Sequence, residues 1–159
     1  MSTGAIFSVT IQQKQGRCVL MTVKHHIVLS AVVSSVLLVV FRSFSMAAAA
    51  LITGVCIDFD HIFDYLREYG FRLELPFFFE TFEKTLYRRL VLFFHAWEWI
   101  AFLLVMAILV PENDIIFGVA LGALAHLIAD QLTNDSSWQG YFFFWRLFHG
   151  FSVCASFPR

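Results

Sequence analysis

Apolar and polar stretches alternate along the chain in long blocks. Four apolar runs cover residues 27–41, 46–57, 90–110 and 115–132, and each ends at polar or turn-forming residues. A helix needs about 20 residues to cross the hydrocarbon core of a bilayer. The pattern therefore predicts four membrane-spanning helices, of which the first two reach that length only with their polar ends included.

With those ends the predicted helices lie near 24–41, 45–66, 88–110 and 114–133. A fifth, Phe-rich helix near 139–153 is too short to span, so we expect it to lie along the interface or to re-enter beside the bundle. The predicted fold class is an all-α integral membrane protein: a bundle of four transmembrane helices plus a C-terminal interfacial or re-entrant helix. Residues 21–159 then form a single membrane-embedded helical domain.

The first twenty residues form a mixed, polar segment. They lack the compact apolar core and small-residue cleavage site of a signal peptide. Met21 begins a more conventional opening, directly before the first apolar run. We therefore interpret residues 1–20 as a flexible extension or a mis-assigned start.

Composition supports the membrane class. Of the 159 residues, 59% are hydrophobic and 14% are charged, whereas soluble domains carry about 25% charged residues. The net charge of −1 argues against nucleic acid as an electrostatic partner. The three cysteines are widely spaced and form neither a CxxC pair nor a disulfide framework. The expected partner is the lipid bilayer; the oligomeric state stays open.

Basic residues indicate the orientation. They precede the first run or lie between the second and third: Lys14, Arg17, Lys24, Arg67, Arg72, Lys84, Arg88 and Arg89. Only Arg42 lies between the first two runs, and none lies between the last two. The positive-inside rule then places the N-terminus and the 67–89 loop in the cytoplasm. The predicted location is the inner (plasma) membrane, crossed several times.

Histidines and carboxylates interrupt the apolar helices, and in this topology all of them fall in the cytoplasmic halves. They are His25, His26, Asp58, Asp60, His61, Asp64, His95, Glu98, His126 and Asp130. Ionisable groups inside a bilayer are costly and by default mark function. Because imidazole and carboxylate are common metal ligands, the sequence predicts a metal site near the cytoplasmic face.

Helical spacing refines this prediction. Gly118, Gly122, His126 and Asp130 repeat every four residues and share one face, and the glycines allow another helix to approach closely. A similar stripe on the second helix consists of Ala50, Gly54, Asp58 and His61. Both stripes lead directly into ionisable residues, so the packed faces and the site are expected to coincide.

The predicted metal ligands are His25, His26, Asp58, His61, His95, His126 and Asp130. A stripe formed with Ser30 and Ser34 favours His26 over His25. Asp130 could bind one ion together with His126, or could orient its imidazole. Nitrogen and oxygen donors without cysteine suit one or two divalent ions, with zinc favoured and manganese or iron as alternatives.

Further residues have predicted roles around the ion. Asp60 or Glu98 could act as general base, although Asp60 could also face the headgroups, as we expect for Asp64. The predicted substrate contacts are Arg88, Arg89 and Arg146; Arg146 could instead extend to lipid headgroups.

These motifs resemble a known family. Lys24-His25-His26 opens the first helix, Ile57-Asp58-Phe59-Asp60-His61 ends the second, a His begins the third, and the fourth contains Leu121-Gly122-Ala123-Leu124-Ala125-His126-Leu127-Ile128-Ala129-Asp130. They are similar to the inner-membrane-bound, predicted metal-dependent hydrolases, also described as LexA-binding, inner-membrane-associated hydrolases. The resemblance covers roughly residues 24–134. It implies a metal-dependent hydrolase with these His and Asp residues as ligands.

The chain departs from the family pattern at the third helix. The family has His-Arg-Gly followed by Thr-His-Ser, whereas this chain has His95-Ala96-Trp97-Glu98-Trp99-Ile100, so the second His is absent. Glu98 could replace it, or this chain could bind fewer ions or carry out different chemistry.

The sequence thus leads to three hypotheses. The first is a membrane-bound metal-dependent hydrolase of phosphoester or lipid-like substrates. The second is a transporter or ion-transit protein that uses the same cluster, although the periplasmic halves of the helices look apolar. The third is a non-catalytic membrane adaptor with a degenerate site.

Overall fold

The computed structural model describes residues 23–71, 74–83, 87–134 and 136–156. The predicted N-terminal extension, residues 1–20, lies outside these ranges. Every regular element in the described ranges is helical. The elements in chain order are α1 (Val23–Phe41), α2 (Phe44–Cys56), α3 (Phe59–Tyr69), α4 (Leu75–Glu83), α5 (Trp97–Leu109), α6 (Asp114–Thr133), a 3-10 turn (Trp138–Tyr141), α7 (Phe143–Phe148) and α8 (Val153–Ser156).

Three helical segments are long and apolar enough to cross a membrane. They are α1, the 26-residue stretch Phe44–Tyr69 that contains α2 and α3, and α6. Their outer faces carry large exposed apolar side chains, such as Val28 at 63% and Val39 at 75% exposure. An all-helical protein with membrane-length apolar helices is therefore confirmed. The fourth apolar helix, α5, has 13 residues, which span about 20 Å.

The third predicted helix begins later than expected. A helix was predicted from residue 88, but α5 starts at Trp97 and the preceding segment is not helical. Leu92 has a φ of +46°, and the amides of Leu92 and Phe94 donate to the carboxylates of Asp64 and Asp60. Side chains thus replace the main-chain acceptors of a helix. The prediction for residues 88–96 is therefore wrong.

The predicted C-terminal helix, near 139–153, is divided into the 3-10 turn, α7 and α8. The break after α7 contains Gly150 and Phe151, both with positive φ angles, of 61° and 57°. An α-helix does not accommodate such residues. A single helix over 139–153 is therefore wrong, and no membrane placement of α7 and α8 follows from their bounds.

Helices α2 and α6 pack closely against each other, and glycines make this possible. A Cβ at Gly118 would lie 2.9 Å from the Cβ of Ala49, and a Cβ at Gly122 would lie 2.9 Å from the Cα of Ala50. Real side chains almost never approach so closely, so only glycine fits at both positions. The predicted glycine stripe is therefore the packing surface of α6.

The helix ends show how the bundle is arranged. His26, near the start of α1, lies 3.1 Å from Asp130, near the end of α6. At the other ends of the same helices, Ser43 follows α1 and donates to Asp114, at the start of α6, at 2.5 Å. Helices α1 and α6 are therefore antiparallel, and the bundle has two distinct ends.

Candidate metal centre

Histidines and aspartates from distant parts of the chain converge at one end of the bundle. Six of the seven predicted ligands form three overlapping groups, within each of which the possible ligand atoms lie within 4.8 Å of one another. The groups are His26 with Asp58 and His126; Asp58 with His61 and His95; and His95 with His126 and Asp130. We call these six residues the His/Asp cluster.

The centre of the cluster has four donors. The Nε2 atoms of His95 and His126 lie 3.2 Å apart. Asp58 Oδ1 lies 3.4 and 3.3 Å from these two nitrogens, and Asp130 Oδ2 lies 3.5 and 3.7 Å from them. Ligands about 2.0–2.1 Å from a tetrahedral zinc ion are separated by about 3.3 Å. The spacing of the donors therefore suits such an ion.

Hydrogen bonds on the far side of each ring fix which nitrogen faces the centre. His95 Nδ1 donates to Asp60 Oδ2 at 3.0 Å, and His126 Nδ1 donates to the carbonyl oxygen of Gly54 at 2.8 Å. The Nε2 atoms of the two rings then face each other, and a ring that is neutral presents a lone pair there. Metal-binding histidines are held in this way.

Asp130 joins His26 to the centre. Its Oδ1 lies 3.1 Å from His26 Nε2, and the His26 ring stacks on that of His126 with centroids 4.0 Å apart. Because Asp130 lies on the Nε2 side of His126, it is placed as a fellow ligand and not as the partner that orients the ring. His25 is exposed and lies outside the three groups, as the serine stripe indicated.

The cluster is buried and meets the requirements of a cation. His95, His126 and Asp130 are 1–4% exposed. Among the described residues, Asp58 Oδ2 and His26 Nδ1 have no hydrogen-bond partner. Buried carboxylates need a compensating positive charge. A tetrahedral ion takes four ligands, and the cluster offers more, because His61 lies beside Asp58 and His95. The residues therefore fit one or two divalent ions.

Asp60 and Asp64, one turn apart on α3, hold the segment that carries His95. Asp64 Oδ2 accepts from the amides of Val91 and Leu92, both at 2.9 Å. Asp60 Oδ2 accepts from the amide of Phe94 at 3.0 Å. Asp64 is 1% and Asp60 5% exposed, so the expectation that either faces the headgroups is wrong. The geometry gives Asp60 a positioning role behind His95, and its predicted role as general base stays untested.

Arg146 supports the same segment from α7. It is fully buried, and its Nη2 donates to the carbonyl oxygens of Leu92 and His95 at 2.9 and 2.8 Å. Burial lowers the pKa of Arg146 to about 10, although nearby Asp60 and Glu98 act in the opposite direction. The side chain is therefore still charged at neutral pH. The alternative that Arg146 extends to lipid headgroups is therefore wrong, and its predicted substrate contact stays a prediction.

The remaining predicted residues lie outside the cluster. Glu98 accepts from the amides of Phe143 and Phe144 at 2.9 and 3.1 Å, and so caps the start of α7. It belongs to none of the three groups, so the geometry does not place it where a missing ligand would be. Arg88 and Arg89 are exposed, and their substrate contacts stay predictions.

Comparisons with protein-family models, with curated proteins and with solved structures find no match for this chain. Its function is therefore argued from the cluster itself.

Proposed function

We propose that this protein is a membrane-bound metal-dependent hydrolase. The observation that carries the proposal is the meeting of two imidazole Nε2 lone pairs at 3.2 Å, each with its Nδ1 proton committed elsewhere. Two such nitrogens repel unless a proton or a metal ion lies between them, and the nearby carboxylates of Asp58 and Asp130 suit a divalent ion. His95, His126, Asp58 and Asp130 would hold that ion, with His26 and His61 at its sides.

The chain's own residues suit hydrolysis. Zinc is the favoured ion for these donors, with manganese or iron as alternatives; when bound, it would polarise an ester and lower the pKa of a water molecule. The Asp58 side chain is 11% exposed, more than those of His26, His95, His126 or Asp130, and its Oδ2 atom is buried within the cluster. Its Oδ2 has no partner among the described residues. We assign Asp58 Oδ2 as the acceptor of the proton from water.

The setting supports a membrane substrate. In the proposed topology α5 is a short fourth crossing of the inner membrane, and the bias of Lys and Arg supports a cytoplasmic position for the cluster. Substrates at that surface include phosphoesters and other lipid-like esters. The resemblance to the inner-membrane-bound hydrolases points to the same class.

Metal content tests the proposal. Elemental mass spectrometry of the detergent-purified protein should find a stoichiometric divalent ion. His126→Ala and His95→Ala should lose it, because each removes a central donor. His25→Ala is the matched control: it removes an exposed imidazole beside His26, and should keep the metal. A screen of phosphoester and lipid ester substrates then measures turnover in the same variants.

Two results would overturn the proposal. No metal in the wild-type protein, even after incubation with zinc, manganese and iron, would leave a buried hydrogen-bonded cluster and favour the adaptor hypothesis. Equal metal content in His126→Ala and wild type would place the ion elsewhere in the chain.

A further inference from the structure

An apolar groove runs along the bundle between α2, α5 and α6. Its volume is about 520 Å³, and its walls are almost entirely carbon. The residues that line the groove between the helices include Ile52, Thr53, Phe102, Leu103, Val119 and Ala123. A cavity of this size is large enough to enclose a small ligand.

One end of the groove comes within one residue in sequence of two members of the His/Asp cluster, none of which lines it. Its lining there includes Ile57 and Phe59, the two neighbours of Asp58 in sequence, and Phe94, which precedes His95. A ligand in the groove would therefore end at the sequence neighbours of Asp58 and His95, and a group that extends beyond this end would approach the proposed metal centre.

From the cluster the groove extends along the helices toward the other end of the bundle. On α2 it reaches from Cys56 to Ile52, and on α6 from Ala123 to Val119, each about 6 Å along the axis. Its rim belongs to the apolar outer surface: Ile52 is 61% and Phe102 is 54% exposed. The groove is thus open on the side that would face lipid.

We propose that this groove binds an acyl chain of a membrane phospholipid whose headgroup lies at the His/Asp cluster. The groove is apolar along its length, and one end contains the sequence neighbours of Asp58 and His95. A lipid whose chain fills the groove would therefore direct its headgroup toward the cluster. A peptide does not suit it, because walls of carbon leave backbone amides and carbonyls without hydrogen bonds. As an assignment of substrate class, this inference rests on the proposed hydrolase.

Retention of a defined lipid tests the groove. The purified protein is incubated with dipalmitoyl phosphatidylglycerol, and the lipid retained per chain is counted by native mass spectrometry. Val119→Trp and Ile52→Trp each place a ring in the groove. Val36→Trp is the matched control, because Val36 is 54% exposed on α1 and does not line the groove. Metal content is measured in every sample.

We expect the wild type and Val36→Trp to retain the lipid equally, and both groove variants to lose about tenfold in retention, corresponding to about 1.4 kcal/mol. Water-soluble glycerophosphoglycerol, the headgroup without chains, should not displace the lipid. If Val119→Trp fails to fold, the comparison rests on Ile52→Trp. This variant should fold, because the Ile52 side chain is already exposed on the side that would face lipid.

The outcomes separate the two proposals. Equal lipid retention in all variants with metal present overturns the groove and leaves the hydrolase standing. Loss of retention in the groove variants with no metal in any sample supports the groove and overturns the hydrolase. Displacement by glycerophosphoglycerol alone would assign the binding to the headgroup and overturn the acyl-chain inference.

Discussion

His95 and His126 face the same centre, but their outer nitrogens have unequal partners. His95 Nδ1 donates to the carboxylate of Asp60, whereas His126 Nδ1 donates to the neutral carbonyl of Gly54. A carboxylate increases the basicity of the imidazole that it holds. The Nε2 atom of His95 is therefore the stronger electron-pair donor to a metal ion, and this donor strength depends on Asp60.

Substitution of Asp60 tests this dependence. Asp60→Ala removes the acceptor of both His95 Nδ1 and the Phe94 amide. We expect the affinity for metal to fall by about 10–100-fold, the usual effect of losing such a partner, while the protein stays folded. Competition with a chromophoric chelator measures the affinity.

The control for this substitution is Glu68→Gln, which removes a carboxylate from the same helix outside the cluster. It should leave the affinity unchanged. An unchanged affinity in Asp60→Ala as well would mean that Asp60 does not act through His95.

Helical spacing in the sequence was enough to predict that the ligands on helices lie on faces that pack together. His126, Asp130, Asp58 and His26 could be assigned to packed faces because each continues a stripe of small residues. The roles of Asp64 and Arg146 could not be predicted in this way. They bond to main-chain groups of residues 91–95, whose non-helical conformation has no periodic signal.

At the scale of elements, the pairing of α2 with α6 depends on backbone contact. A Cβ at Gly118 would meet the main-chain carbonyl group of Met46 as well as Ala49. A main chain inside a helix cannot move away as a flexible side chain can. The two helices must separate for any larger residue.

Gly118→Leu should therefore destabilise the protein. Overpacking of this kind costs about 1–3 kcal/mol, and thermal unfolding in detergent measures the loss. Ala101→Leu adds the same side chain at an exposed position of α5 and should unfold at the wild-type temperature. Equal unfolding temperatures for both variants would contradict the close contact.

Helix α7 depends on a residue of another helix at its start. Glu98 of α5 accepts from two of its first amides, and loss of such a cap costs about 1 kcal/mol. Glu98→Ala should therefore increase hydrogen exchange at Phe143 and Phe144, with metal content unchanged. The control is Glu112→Ala at an exposed position, which should change neither the hydrogen exchange of α7 nor the metal content.

The opposite result for Glu98→Ala would assign Glu98 a role at the metal. Loss of metal from Glu98→Ala, with normal protection of α7, would show that Glu98 takes the place of the second histidine found at this helix in the hydrolases that the chain resembles.

For the whole molecule, the two ends of the bundle differ in character. Apart from Ser30, the buried polar residues of α1, α2, α3 and α6 belong to the end with the cluster. Toward the other end, α1 and α2 meet in an apolar group that contains Leu37, Met46 and Ala50. An ion crossing the bundle would have to pass this group, which argues against the transit hypothesis.

The proposed topology makes a prediction about sidedness. In a background without native cysteines, Glu112→Cys lies between α5 and α6, and Arg67→Cys lies near the end of α3. An impermeant thiol reagent should label residue 112 in intact cells, and residue 67 only after the membrane is opened. Labelling of both from one side would mean that α5 does not cross, and the reverse pattern would invert the orientation.

The donors of the cluster are spread along the chain from His26 to Asp130, and this spread has a consequence for biogenesis. A ribosome makes His26 first and the His126–Asp130 pair last, so no nascent chain can assemble the centre before α6 has been synthesised. Because binding to the assembled state alone stabilises it, capture of the proposed ion would be the last step in the assembly of the protein. A cell short of that ion would accumulate inserted but loosely packed chains, which membrane proteases recognise.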